Sequence, residues 1–169
     1  MTHDQNRGPL SRLLRIDRLR KDGNAVVVEA THEECRALAA DFKISAIRDL
    51  IGRFSADGPS SRLIVTGTVS AIVTQICTVS LEPFESKIEE PVEVVYTDTD
   101  ILVGTDAEDA DVPDPIVGNR IDFGALTAEF LALGLDPYPR KPGIAFTPVT
   151  AGEEDGPLGE LRRLRDREG

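Results

Sequence analysis

A long run rich in β-branched residues, from Ser61 to Phe84, constrains the fold of this chain more than any other feature. It reads SRLIVTGTVSAIVTQICTVSLEPF, and eleven of its residues are Val, Ile or Thr. Such side chains suit a pleated, packed surface and oppose a helix. Alternate residues from Leu63 to Val79 would share one face, so the run predicts a single strand ended by Pro83. Gly67 is a candidate for a bulge or bend that lets so long a strand curl.

Four other segments carry strand signals. AVVVEA, residues 25–30, is a short β-branched run, and residues 84–98 alternate in a way that predicts a further strand antiparallel to the long one. Residues 11–19 alternate loosely, as in a half-buried strand. Residues 44–55 leave two alternatives open, because their isoleucines fit a helical stripe as well as an edge strand.

Two helices have recognisable caps. Thr31 with Glu34 three residues later forms a capping-box pattern, which predicts a helix from about His32 to Asp41. Asp122 can cap a helix from about Phe123 to Leu133, where Gly134 stands at the expected end. The apolar face predicted for this second helix consists of Leu126, Phe130 and Leu133. The fold class is therefore α+β, with a mostly antiparallel, curled sheet, barrel-like in one alternative, packed by two or three helices.

Charge is unevenly distributed along the chain. The net charge is −11, yet residues 82–129 hold fourteen acids against Lys87 and Arg120, which is −12 for that stretch alone. Residues 1–23 form a basic N-terminal arm with six cations against three acids. An acidic body repels phosphate backbones, which disfavours strong direct nucleic-acid binding over most of the surface. A basic protein partner, or contact through one localised basic segment, remains compatible with this distribution.

Sequence signals for the compartment favour the cytoplasm. Charges occur throughout the N-terminal residues, which is not the pattern of a secretory signal or a membrane anchor. No apolar stretch approaches the ~20 residues that a bilayer span needs. Cys35 and Cys77 are the only thiols and lie far apart in sequence, so we expect both to be reduced. No membrane partner is expected.

Patterns typical of catalytic or cofactor sites are scarce. His32 with Cys35 is a weak metal pair, since zinc sites usually offer tighter pairs. The acids of residues 97–111 resemble a calcium loop only in composition, and no phosphate-binding glycine loop or nucleophile elbow is present. The GPLG of residues 156–159 matches a nucleic-acid-binding GXXG motif, but it lies in a tail. We therefore expect no catalytic residues, metal or cofactor, and predict that the protein is not an enzyme.

The stretch DPYPRKPG, residues 136–143, is the candidate partner-binding segment. Its prolines hold the backbone extended, so it loses little entropy on ordering. Side chains that could meet a partner are Asp136, Tyr138, Arg140 and Lys141, with Glu129 on the preceding helix. The competing interpretation is structural. Tyr138 would then pack back onto the sheet, and Arg140 would pair with Asp122, Glu129 or Asp136.

Three motifs in fixed order resemble those of one family. They are the G-x-V-x-A strand ending in Q-x-C-x-V-x-L-E-P-F, the I-D-x-G-x-L-x-x-E helix, and the LDPYPRKPG segment, together spanning roughly residues 63–146. The chain resembles the YceD-like family of bacterial and plastid proteins, whose members are described as large ribosomal RNA subunit accumulation proteins. The resemblance also implies that residues 44–55 form a strand. Many relatives carry C-x-x-C where this chain has Cys77 and Ser80, so a metal or redox role through that pair is not supported here.

What the resemblance implies is a non-enzymatic cytoplasmic factor in the synthesis, processing or stability of large-subunit ribosomal RNA, acting as a binding or adaptor protein. Its partners would be a ribosomal protein or pre-ribosomal rRNA. The alternative is an interaction or regulatory domain without a link to RNA. In domain terms, we expect residues 1–150 to form one YceD-like domain with the basic arm and an acidic loop near 97–115. Residues 151–169 would form a flexible tail, with a short helix as an option.

Overall fold

A computed structural model describes residues 8–21, 24–98 and 113–145. The strands are β1 (Leu13–Arg15), β2 (Ala25–Glu29), β3 (Ala46–Asp57), β4 (Leu63–Ile76), β5 (Pro83–Asp98), β6 (Asp114–Ile116) and β7 (Arg120–Asp122). The helices are α1 (Ile16–Lys21), α2 (His32–Asp41) and α3 (Phe123–Leu133). The predicted tail of residues 151–169 and most of the predicted acidic loop lie outside the described residues.

Five strands form one sheet in the order β2-β3-β4-β5-β6, and all neighbours are antiparallel except β5 and β6. β1 and β7 form a separate two-stranded antiparallel ribbon. The predicted α+β class with a mostly antiparallel sheet is confirmed. Within the described ranges the edge strands β2 and β6 do not pair with each other, so the sheet is not closed into a barrel. The curl of the sheet stays a prediction.

β4 is the central strand, and its pairing with β5 is unbroken from Leu63 opposite Tyr96 to Ile76 opposite Pro83. The strand ends at Ile76, before the predicted limit, because a turn begins at Cys77. The bulge predicted at Gly67 is wrong, since the register is continuous there on both sides. The sheet has its register shift in β3 instead, between Arg48 and Ile51.

Gly67 serves close packing between strands. A Cβ atom at this position would collide with the carbonyl oxygen of Arg53 on β3 and would lie 2.9 Å from the Cα of Phe54. Because both contacts are with backbone, no side-chain movement can relieve them. The absence of a side chain therefore lets β3 and β4 approach.

One face of the sheet carries the core. The fully buried residues of β4 alternate along the strand, and α3 covers this face where the rings of Phe54 and Phe123 pack 5.4 Å apart. Gly52 lies under the Thr127 hydroxyl, where a Cβ atom would be only 2.5 Å away. The predicted apolar face of α3 is partly wrong, because Leu133 is 70% exposed. The residues of α3 that are buried are Phe123, Gly124, Leu126, Thr127 and Leu131.

The capping box of α2 is confirmed. The Thr31 hydroxyl accepts the Glu34 amide at 3.2 Å, and the Glu34 carboxylate accepts the Thr31 amide at 2.8 Å. Glu34 also binds the guanidinium of Arg12 through two bonds of 2.7 and 2.9 Å. The Arg12 bonds, with those from Thr31, lower the pKa of Glu34 to about 2 against the opposing effect of burial. This ion pair ties the N-terminal segment to α2.

Three segments had weak or ambiguous sequence signals, and the structure shows what each of them forms. The strand predicted over residues 11–19 is right only for β1, because the chain then turns into α1 and buries Ile16 and Leu19. Residues 46–57 are a strand, as the family resemblance implied, and the helical alternative is wrong. Within the predicted acidic loop, Asp114–Ile116 is a strand that pairs in parallel with the end of β5. Short parallel pairing of this kind leaves little trace in a sequence.

Replacing Gly67 by alanine tests the close approach of β3 and β4. We expect Gly67→Ala to lower the free energy of unfolding by about 1–3 kcal/mol, because the new methyl group overpacks the strand pair. Urea unfolding followed by circular dichroism measures the change. Gly8→Ala is the matched control, since a Cβ atom there meets nothing within 4 Å, and its effect should stay within about 0.5 kcal/mol. Equal stability of the two variants would contradict the argument.

Acid should weaken the Arg12–Glu34 pair. The folded state holds the pKa of Glu34 below its ordinary 4.5, so its contribution to stability is complete above about pH 4.5 and is lost as the pH falls through about 2. The unfolding free energy of Glu34→Gln should therefore fall less steeply than that of the parent over this window. Glu33→Gln, one residue away and without a bond to Arg12, should follow the parent curve. Parallel curves for Glu34→Gln and the parent would refute the prediction.

Candidate functional site

The candidate segment is positioned by α3, whose start is fixed by Asp122. The carboxylate of Asp122 accepts the amides of Gly124 and Ala125 at 3.0 and 3.1 Å and that of Arg12 at 2.7 Å. Burial opposes ionisation of Asp122, but these bonds and one from the Ser11 hydroxyl together hold its pKa below the ordinary value. The predicted cap is thus confirmed, and it binds the N-terminal segment as well.

At its other end, α3 passes closely over β5. A Cβ atom on Gly134 would lie 2.6 Å from side-chain atoms of both Ile88 and Glu90. The helix ends at Gly134, as predicted, and Leu135 packs against the core. The chain therefore leaves α3 directed along the sheet towards the turn between β4 and β5.

Residues 136–143, here called the proline segment, dock onto residues 77–82, here called the hairpin turn. The backbone amide of Thr78 donates to the carbonyl oxygen of Pro139 at 2.8 Å, and the amide of Lys141 donates to the sulfur of Cys77 at 3.4 Å. The ammonium group of Lys141 pairs with Glu82 at 3.0 Å. From β4, the Gln75 side chain donates to the Asp136 carbonyl at 3.0 Å. The proline segment is therefore part of the fold and is held at several points.

Cys77 lies at the centre of this docking. Its side chain is fully buried, and its sulfur accepts the amides of Lys141 and Ser80, each at 3.4 Å. The Lys141 amide, followed by bonds from Ser80, lowers the pKa of the Cys77 thiol to about 6. Burial instead raises the pKa of Cys35. Inaccessible to solvent, Cys77 serves as a hydrogen-bond acceptor that joins two backbone segments.

The predicted side chains of the proline segment divide into two groups. Tyr138 is 73% exposed, and Arg140 is exposed without an ion pair to any described residue. Tyr138 therefore does not pack onto the sheet, and Arg140 does not pair with Asp122, Glu129 or Asp136. Asp136 and Lys141 instead have structural bonds, because the Asp136 carboxylate accepts the Tyr138 amide at 2.8 Å and Lys141 pairs with Glu82.

Glu129 belongs to a different neighbourhood. It is exposed on α3 and lies near the phenol of Tyr96, whose pKa is raised by burial first and then by the charges of Asp114 and Glu129. Among the described contacts, none joins Glu129 to the proline segment. The structure thus brings together four of the five predicted residues and leaves Glu129 apart.

The sequence did not predict the exposed apolar side chains at and near the hairpin turn. Seven large hydrophobic side chains of the described residues are exposed, and four of them belong to β4, the hairpin turn, α3 and the proline segment. These four are Ile76, Leu81, Leu133 and Tyr138, exposed by 45%, 76%, 70% and 73%. Leu81 adopts a φ of 59°, a left-handed conformation that costs energy for a branched residue. We call these four residues with Arg140 the hairpin-end surface.

A groove of about 410 Å³ lies beside the hairpin-end surface. It separates the turn after α2 from the proline segment, and its walls include Phe42, Lys43, Ile76, Leu135 and Pro137. Most of the residues that line the groove are apolar. The groove extends the apolar character of the hairpin-end surface towards α2.

A comparison with models of known protein families identifies the family of the chain. The model of a family described as "Large ribosomal RNA subunit accumulation protein YceD" matches residues 65–160, more than half of the sequence. The chain belongs to the YceD family. The description of this family links its members to the accumulation of large-subunit ribosomal RNA. No curated protein and no solved structure shows significant similarity to the chain.

The matched YceD range begins in β4 and includes β5, α3, the hairpin turn and the proline segment. It therefore contains the whole hairpin-end surface. Within the part of the chain that the structure describes, no three His, Cys, Asp or Glu side chains are grouped to hold a metal ion. No helix of that part is long and apolar enough to span a membrane.

Removing the Cys77 sulfur should loosen the proline segment. In Cys77→Ala the amides of Ser80 and Lys141 lose their acceptor, so we expect both to exchange with solvent deuterium several-fold faster than in the parent. Exchange read by nuclear magnetic resonance or mass spectrometry measures this. Cys35→Ala removes a buried thiol from α2 and should leave these two amides protected. Unchanged protection in Cys77→Ala would show that the sulfur does not hold the segment.

Proposed function

We propose that this YceD-family protein is a non-catalytic, cytoplasmic binding factor that supports the synthesis, processing or stability of large-subunit ribosomal RNA. In this role it would act as an adaptor, contacting a ribosomal protein or a pre-ribosomal particle through the hairpin-end surface. The family description supports the link to ribosomal RNA. The exposure of Tyr138 and Arg140 on a segment that is otherwise firmly held is the observation that carries the choice of surface.

A held but exposed segment suits recognition because its conformation is fixed before a partner arrives. Prolines restrict the backbone of residues 136–143, and the bonds from Thr78, Lys141 and Gln75 fix its path. A partner therefore orders little of this backbone on binding. Tyr and Arg, together with Trp, are enriched among the side chains that dominate the binding energy of protein interfaces. Leu81 and Leu133 would add apolar area around them.

Charge favours a basic protein as the direct partner. β5 carries several acids, with Glu89 and Glu93 on one face and Glu90 on the opposite face beneath the end of α3. The chain as a whole has a net charge of −11. Glu89 pairs with Lys87 at 2.8 Å, whereas Glu93 is exposed and has no ion pair among the described residues. A basic ribosomal protein would be attracted by this field, and attraction of opposite potentials speeds encounter.

Disrupting Tyr138 and Arg140 together tests the proposal. We expect the double variant Tyr138→Ala/Arg140→Glu to reduce co-purification of tagged protein with large-subunit precursor particles by at least tenfold, because both exposed anchors are lost. Quantitative mass spectrometry and RNA sequencing of the purified particles measure the change. Accumulation of large-subunit rRNA in cells carrying only the double variant should fall in parallel.

The matched control reverses a cation elsewhere. Arg53 is exposed on β3 opposite Thr68, eight residues along β4 from Ile76, so Arg53→Glu changes the net charge as Arg140→Glu does and should leave association intact. Circular dichroism verifies that both variants are folded. If the folded Tyr138→Ala/Arg140→Glu variant still associated fully with the precursor particles, the hairpin-end surface would not be the binding surface. Capture of basic non-ribosomal proteins alone would favour an interaction domain without a link to RNA.

A further inference from the structure

Three arginines meet on the β1–β7 ribbon, far from the hairpin turn. Arg15 of β1 lies directly opposite Arg120 of β7 in the strand register. Arg18 follows Arg15 by three residues in α1 and lines the same open groove of about 220 Å³, together with Leu13 and Leu14. The structure therefore concentrates positive charge in one place on a chain whose net charge is −11.

Acids compensate this cluster only in part. Asp17 pairs with Arg15 at 2.8 Å and accepts the Asn119 side chain at 2.7 Å. Arg18 and Arg120 are exposed and form no ion pair with any residue in the described ranges. Like charges directly opposite each other on neighbouring strands are destabilising. An anion bound between Arg15 and Arg120 would relieve this repulsion.

The backbone around the arginines is held in place. The amide of Ile16 donates to the Asn119 carbonyl at 3.1 Å, and the Arg120 amide donates to the Val117 carbonyl at 3.2 Å. Gly118 and Asn119 have φ values of 60° and 59°, which form the tight turn between β6 and β7. The three guanidinium groups thus stand on a fixed frame, and guanidinium groups match phosphate oxygens through paired hydrogen bonds.

A second groove adjoins the cluster at Arg120. It measures about 740 Å³ and shares Leu13 and Arg120 with the first. Its other walls include Tyr96, Val117 and Asp122, and the Asp122 carboxylate is already bonded to three backbone amides and to the Ser11 hydroxyl. Leu13 and Val117 are 38% and 70% exposed, so apolar surface stands beside the cations. Cations next to a mainly apolar groove that holds one aromatic ring suit a strand whose bases are unstacked. A paired duplex would present only its backbone here.

We propose that Arg15, Arg18 and Arg120 bind the phosphates of single-stranded RNA, with one unstacked base in the adjoining groove. The choice of RNA as the ligand rests on the proposed function in ribosomal RNA accumulation. The site is distinct from the hairpin-end surface, because β5 separates them. The hairpin turn precedes Pro83, whereas β6 pairs with Tyr96 near the other end of that strand. At about 3.3 Å per residue, this separation is on the order of 40 Å.

Fluorescence anisotropy with the purified full chain and a labelled oligouridine tests the site. We expect oligouridine to bind more tightly than an RNA hairpin of equal length. The double variant Arg18→Glu/Arg120→Glu should weaken oligouridine binding at least tenfold. The milder Arg120→Gln should reduce the slope of log K against log salt by about 0.7, the value for one phosphate contact on a single strand. Circular dichroism verifies folding of each variant.

The charge-matched control is Arg36→Glu/Arg53→Glu, which reverses two exposed cations outside the ribbon. If this control weakened oligouridine binding equally, the effect would come from the net charge of the protein, and the proposed site would be wrong. An unchanged salt slope in Arg120→Gln, equal affinity for hairpin and oligouridine, or binding to phosphatidylserine vesicles in place of RNA would also overturn it. Loss of particle association in Tyr138→Ala/Arg140→Glu with intact oligouridine binding would keep both proposals, since the two assays report on different surfaces.

Discussion

The pairing of β4 with β5 is the constraint on which the rest of the structure depends. Fourteen consecutive pairs join the strands from Leu63–Tyr96 to Ile76–Pro83 without a shift in register. A slip of one residue would turn every buried side chain of β4 to solvent, so the alternating core fixes this register. The fixed register in turn sets where the hairpin turn and the β6 pairing lie. Both proposed surfaces are therefore positioned by one strand pair.

Sequence patterns predicted the elements whose signals are local. The β-branched composition of β4, the capping box at Thr31 and the cap at Asp122 each involve neighbours along the chain. Each predicted element is present, although β4 ends at Ile76, before the predicted limit. The strand at residues 46–57 was ambiguous by periodicity. There the family resemblance correctly favoured a strand over a helix, because it rests on more than the spacing of hydrophobic residues.

Features that depend on distant contacts could not be predicted in the same way. Gly67 has the signature of a bulge, but its role is set by the carbonyl of Arg53 on another strand. Exposure of Tyr138 follows from bonds between Thr78 and Pro139, which lie 61 residues apart. The pairing of Arg15 with Arg120 joins residues from opposite parts of the sequence. A single sequence does not show which of its segments meet.

Asp122 has a consequence for how the molecule can be divided. Its carboxylate accepts amides from α3 and from Arg12, so the start of α3 and the N-terminal segment share one acceptor. The range matched by the family starts at residue 65, after β1, β2 and β3. A fragment cut at that boundary would lack β2 and β3, two of the five strands of the sheet, and would expose core residues beneath α3. The range matched by the family model is therefore smaller than the part of the chain that completes the sheet and its core.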